Sequence, residues 1–134
     1  MLVDSSVWIA FLRGDATAGV ELLTAALQRS LPVWLAPPIL QKVLQGADRP
    51  ERFDRWDRVL GELPLLVAAD ARATSRAAAR LYARCRWAGF TPRSANDCLI
   101  AIHAIEHRMP LLHGDRDFVR MARIEPRLKL LPAA

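Results

Sequence analysis

Apolar positions along the chain alternate between short solid runs and longer stretches with helical spacing. Residues 1–4, MLVD, form a run too short for a helix, and a buried strand ending in an acid fits them. SSVWIAFLRGD offers Ser5 and Ser6 as N-caps for a short helix that ends near Gly14. AGVELLTAALQRS again carries apolar residues at helical spacing, and LPVWLAP reads as a second buried strand closed by Pro37 and Pro38. PPILQKVLQG, residues 37–46, is a helix started by prolines and stopped by Gly46. Leu40, Val43 and Leu44 form its apolar stripe, while Gln41, Lys42 and Gln45 face elsewhere.

Further along, ERFDRWDRVLGEL places Phe53, Trp56, Val59 and Leu60 on one helical face, and PLLVA is a third strand candidate. DARATSRAAARLYARCRWAG is a long Ala/Arg helix with Asp70 as N-cap and Gly89 as stop. SANDCLIAIHAIEHR is another helix, with Ser94 or Asn96 near its start. Residues 109–112 make a fourth strand, followed by a turn and a short helix, and RLKLLP is a weak last strand. Short apolar strands alternating with helices imply βαβ units, an α/β fold and a parallel sheet of four to five strands.

Composition narrows the class. The 134 residues suit one domain with its own core, and 52% hydrophobic with 25% charged residues excludes disorder. The net charge is +5, from 19 Lys+Arg against 14 Asp+Glu, and nearly all the cations are arginine. That balance favours an anionic partner such as nucleic acid, and solubility explains it about as well. Cys85 and Cys98 lie in helical segments and form no disulfide framework, which fits a reducing cytoplasm. Neither a signal peptide nor a membrane span is expected.

Parallel sheets place functional groups just beyond the carboxyl ends of their strands. Asp4 ends the first strand, and Asp115 and Asp117 follow the fourth. Asp97 lies in the first turn of an otherwise apolar helix, where an unbound carboxylate is expensive. Each acid has a plain structural explanation: Asp97 or Asn96 as a cap, Asp4 as a cap, Asp115 and Asp117 as turn residues. Their conjunction says more, because distant segments bring the acids to one edge of the sheet. Such carboxylates repel one another, and a hard cation such as Mg²⁺ or Mn²⁺ relieves the repulsion and can activate water against a phosphodiester.

LVDSSVWIAFLRG, PPILQKVLQG, LYARCRWAGFTPRSANDCLIAIHA and LLHGDRDF, in this order and spacing, resemble the PIN-domain proteins and more closely their VapC-type toxins. The resemblance covers nearly the whole chain. It implies a single three-layer domain over residues 1–134, with a central parallel sheet flanked by helices. It also implies a Mg²⁺- or Mn²⁺-dependent endoribonuclease, restrained by a VapB-type antitoxin and paired as a homodimer. The family's first, third and fourth acids match Asp4, Asp97 and Asp115, which would be the metal ligands, with Asp117 as a further acid. Ser6 matches a hydroxyl residue that supports the first aspartate, and Asn96 is placed to orient Asp97.

The second family acid, a glutamate, is Lys42 in this chain. If Lys42 faces the cluster, it changes the site by two charges and its ammonium competes with metal. Two charges at ~4 Å interact by about 4 kcal/mol at an effective dielectric near 20. The consequence is an impaired or silenced nuclease, whether by engineering or natural loss; if Lys42 faces solvent, Gln41 or another group completes the site. Arg72, Arg76, Arg80 and Arg84, spaced by four, form a stripe that can track an RNA backbone or simply meet water. Trp8, Trp34, Trp56 and Trp87 fit core or interface anchors better than base-stacking platforms. His103, His107 and His113 read as a helix face and a turn residue. Two other classes remain open: an inactive module that binds antitoxin or RNA, and another acid-site hydrolase such as a phosphatase, which lacks a nucleophile motif here.

Overall fold

The computed structural model describes residues 1–132. Strand β1 (Leu2–Val3) leads into helix α1 (Ser5–Arg13), and α2 (Ala18–Gln28), α3 (Pro37–Gln45) and α4 (Pro50–Gly61) follow. Then come α5 (Ala71–Trp87), α6 (Ala95–Glu106), β2 (Leu111–Leu112), α7 (Arg116–Ile124) and β3 (Leu130–Leu131). The strands pair in the order β1-β2-β3, all parallel, with Leu2 opposite Leu111 and Leu111 opposite Leu130.

The two remaining expected strands join this sheet only as single bridges. Leu2 pairs in parallel with Trp34, and Leu35 with Leu65. Taken with the three-stranded sheet, these bridges set the order of the apolar runs around 65, 35, 2, 111 and 130 across one parallel array. Chain order therefore reverses between β1 and β2. Open parallel sheets bind ligands at such a reversal, outside the carboxyl ends of the strands.

Leu2, Val3, Leu35, Leu111 and Leu112 are all buried, as strands covered by helices on both faces should be. One continuous core joins them to Trp8, Leu23, Ile39, Leu81, Ile100 and Phe118. Pro37 and Pro50 start α3 and α4, where a missing N–H costs nothing. Gly14 ends α1 in the left-handed region at φ 81°, which glycine adopts without strain. Asp70 caps α5 by accepting from Ala73 N–H.

Several expectations change. Asp4, rather than Ser5 or Ser6, caps α1, because its extended backbone and carboxylate satisfy the Ser6 N–H. On α4 only Trp56 and Leu60 are buried; Phe53 and Val59, at 42% and 40% exposure, flank that stripe rather than share it. Trp8 and Trp56 lie in the core, whereas Trp87 is 79% exposed at the end of α5. Arg84 leaves the proposed stripe: its guanidinium donates to Glu125 Oε1 at 3.2 Å and to the Ile124 carbonyl at 2.7 Å.

That last contact ties α5 to the end of α7. Glu125 is buried and also accepts from Arg127 Nη2 at 2.7 Å. The Arg127 hydrogen bond is the main reason its pKa falls from 4.5 to about 2, against the opposing effect of burial. A depressed carboxylate stabilises the fold above its unfolded pKa and loses that contribution as pH falls. Glu125→Gln should lower stability at pH 7 by about 1–2 kcal/mol, allowing for the exposure of both arginines. Urea denaturation should show the gap to the parent closing as pH drops from 4.5 toward about 2.

Candidate active site

The chain reversal brings the ends of β1 and β2 side by side, and the acids follow from that. Asp4 N–H continues the ladder by donating to the Leu112 carbonyl at 2.9 Å, so Asp4 sits at the carboxyl edge next to β2. Helix α6 runs back toward the start of β2, which puts its first turn and Asp97 at the same edge. Asp115 is the N-cap of α7, and its Oδ1 accepts from Asp117 N–H at 2.9 Å. Capping thus aims Asp115 and Asp117 from one turn.

Asp97, Asp115 and Asp117 each place one carboxylate oxygen within 4.8 Å of the other two. Asp4 is not one of that trio, yet of the acids its charge acts most strongly on Asp97. Its Oδ2 accepts from Ser6 Oγ at 2.6 Å and Ser6 N–H at 3.1 Å. Ser6 Oγ in turn accepts from Gly114 N–H at 3.3 Å, which pins the end of β1 to the turn after β2. Ser6 therefore holds Asp4 by hydrogen bonds. Asn96 is exposed and gives no hydrogen bond to Asp97 among the described residues, so it does not orient that carboxylate.

The three clustered acids are not equivalent. Donors that reach the cluster go to Asp115 and Asp117: Arg93 Nη2 to Asp115 Oδ1 at 2.6 Å, and Arg93 backbone N–H and Nε to Asp117 Oδ2 at 3.0 and 3.3 Å. Asp97 is only 3% exposed and accepts no side-chain hydrogen bond among the described residues. Burial, then the charge of Asp4, raises its pKa from 3.8 to about 6, with Asp115 and Asp117 adding to the effect. The positive charge of Lys42 opposes the rise. Lys42 is half-buried on α3, which packs against α6, and makes no ion pair within 4.0 Å among the described residues. It acts on Asp97 through the field, not through contact.

An unpartnered buried carboxylate beside two others is the donor set that a hard divalent cation takes. The residues therefore fit such an ion. His113 completes the turn: it is buried, burial holds its pKa below the ordinary histidine value, and its Nδ1 lies 3.0 Å from the Asp115 carbonyl oxygen and 3.2 Å from the Asp115 amide nitrogen. His113 is the turn residue that the sequence reading expected, whereas Arg93 pairs with acids in a way the sequence pattern did not assign. Arg93 lies in the loop before α6, where no periodicity marks a side chain's direction.

Residues 1–124 match the family model of the PIN domain. The chain belongs to the PIN-domain family. Over 125 residues it is 37% identical to a VapC ribonuclease of Mycobacterium bovis and to ribonuclease VapC11 of Mycobacterium tuberculosis, with 92% of each chain covered. Membership therefore extends to the VapC ribonucleases. The fold is also similar to that in the crystal structure of VapBC2 from Rickettsia felis bound to a DNA fragment from their promoter. There the TM-score is 0.74 at 18% identity, covering 96% of this chain and 95% of the other.

A carboxyl group whose pKa is raised binds its proton more tightly in the folded state, so stability falls as pH climbs from 3.8 to about 6. In chelator at pH 7, Asp97→Asn should therefore stabilise the PIN domain by about 1–3 kcal/mol. Thermal unfolding should show a higher midpoint for the variant, and excess Mg²⁺ or Mn²⁺ should raise the parent's midpoint more than the variant's.

Proposed function

We propose that the acidic edge hydrolyses RNA phosphodiester bonds with a divalent cation, Mg²⁺ or Mn²⁺, and that residues 1–134 work as one PIN domain. The chain is an endoribonuclease toxin of a toxin–antitoxin system, by its family and by its likeness in fold to VapBC complexes. A VapB-type antitoxin is accordingly its partner. Homodimerisation and a cytoplasmic location, where Cys85 and Cys98 stay as buried free thiols, belong to the same reading.

The observation that carries the proposal is the buried, unpartnered Asp97 facing Asp115 and Asp117 at the sheet's chain reversal. Asp4, Asp97 and Asp115 would hold the cation, with Asp117 as a further acid within reach of Asp97 and Asp115. When bound, the cation supplies charge neutralisation and a water acidic enough to attack phosphorus at neutral pH. Asp4, held by Ser6, keeps the edge acidic. Lys42 works against the cation, since its positive charge already offsets part of the repulsion on Asp97.

That opposition supports a second reading, an inactive PIN module that still binds antitoxin or RNA. Cleavage of total RNA by the chain and by Lys42→Glu, with Mg²⁺, with Mn²⁺ and with chelator, separates the two. The proposal expects Lys42→Glu to cut at least tenfold faster than the parent and to stop in chelator. Equal cutting by both would show that Lys42 does not limit the site. No cutting by either would favour the binding module.

A further inference from the structure

Arg93 is the basic side chain that ion-pairs with the acidic cluster among the described residues, and it does so at the surface. Its side chain is 73% exposed, yet the guanidinium spans Asp115 at 2.6 Å and Asp117 at 3.3 Å. Both belong to the acidic cluster proposed to hold a divalent cation. Two cations on the same carboxylates repel, so a bound metal ion weakens both of Arg93's ion pairs.

The place to which Arg93 can turn is also present. A cavity of about 240 Å³ opens beside Asp117, lined by Phe90, Thr91, Arg93, Arg116 and Arg120 as well. Arg116 and Arg120 are exposed and pair with no carboxylate within 4.0 Å among the described residues. Arg120 instead lies over the Phe90 ring, 5.3 Å from its centroid. Three arginines around one hollow, with a single acid in its wall, suit a phosphate of the RNA backbone.

We propose that Arg93 is a positioning residue that exchanges carboxylates for phosphate. Without metal it neutralises Asp115 and Asp117. With metal it turns into the cavity and, with Arg116 and Arg120, holds an RNA phosphate next to the site. Cation and RNA then bind cooperatively, each raising the affinity for the other by the same factor. The inference rests on the metal-dependent ribonuclease reading for its two ligands.

The test measures binding, not turnover. Mn²⁺ is titrated by calorimetry into the chain and into Arg93→Ala, each with Lys42 and with Lys42→Glu. A labelled oligouridylate is followed by fluorescence anisotropy with and without Mn²⁺, its length checked afterwards on a gel. Arg93→Ala should bind Mn²⁺ alone about 3–10-fold more tightly, because a competing cation is gone. Mn²⁺ should raise RNA affinity about fivefold or more in the parent and less than about twofold in Arg93→Ala. Arg120→Ala should weaken RNA binding with Mn²⁺ affinity unchanged, and Arg93→Lys, checked for folding by circular dichroism, should keep part of the coupling. Unchanged Mn²⁺ affinity in Arg93→Ala, an equal RNA gain in both proteins, or no Mn²⁺ binding in either Lys42 background overturns the inference. A chain that shows this coupling but never cuts RNA sinks the nuclease reading alone. A Lys42→Glu protein that cuts while Arg93→Ala binds Mn²⁺ like its parent sinks only the role of Arg93.

Discussion

Carboxylates crowded at the carboxyl edge of a parallel sheet repel one another, and the surrounding structure is arranged around that repulsion. Asp97, Asp115 and Asp117 bring oxygens within 4.8 Å of each other, and Asp4 adds its charge to Asp97. Burial leaves Asp97 little water to screen that repulsion, so the cost falls on it as a raised pKa. Every neighbouring cation or donor reduces that cost in part. Ser6 serves Asp4, Arg93 serves Asp115 and Asp117, and Lys42 serves Asp97 at a distance.

The scaffold makes this crowding tolerable by fixing it from elements that cannot move independently. β1 and β2 are neighbours in the ladder, so Asp4 and the turn after β2 keep their separation. The α7 cap uses one acid to hold the backbone of the other. Helix α6, which carries Asp97, is buried along most of its length by Cys98, Ile100, Ala101, Ile102 and Ala104. A charged group placed on so apolar a helix gains nothing for folding. On the proposed reading its value lies in the cation it would hold, which is the usual relation between strain and function at a site.

Lys42 gives this member of the VapC ribonucleases a different electrostatic balance from a site built of acids alone. Its half-buried ammonium lowers the charge cost at Asp97, and on the proposed reading it would oppose the cation. Arg93 neutralises Asp115 and Asp117 from the solvent side, through a guanidinium that is largely exposed. One cation is anchored in a packed helix and the other lies on a loop, so the two differ in what can displace them.

The element pattern and the parallel sheet were legible in the chain, because period and apolar runs depend on local sequence, and the strand ends with the family resemblance singled out Asp4, Asp97, Asp115 and Asp117 as candidates. The outer strands were legible as apolar runs, but only tertiary packing reduced their pairing to single bridges at 34 and 65. Which acids actually meet was a tertiary matter. Ser6 holds the Asp4 carboxylate and the α7 cap links Asp115 to Asp117, and neither contact follows from spacing. The same holds for Arg84, which helical spacing put on a free stripe and Glu125 drew into a link between α5 and α7. Arg93 belongs wholly to the tertiary structure. A loop arginine has no periodicity to reveal its partner, and only folding brings it to acids more than 20 residues away in the chain.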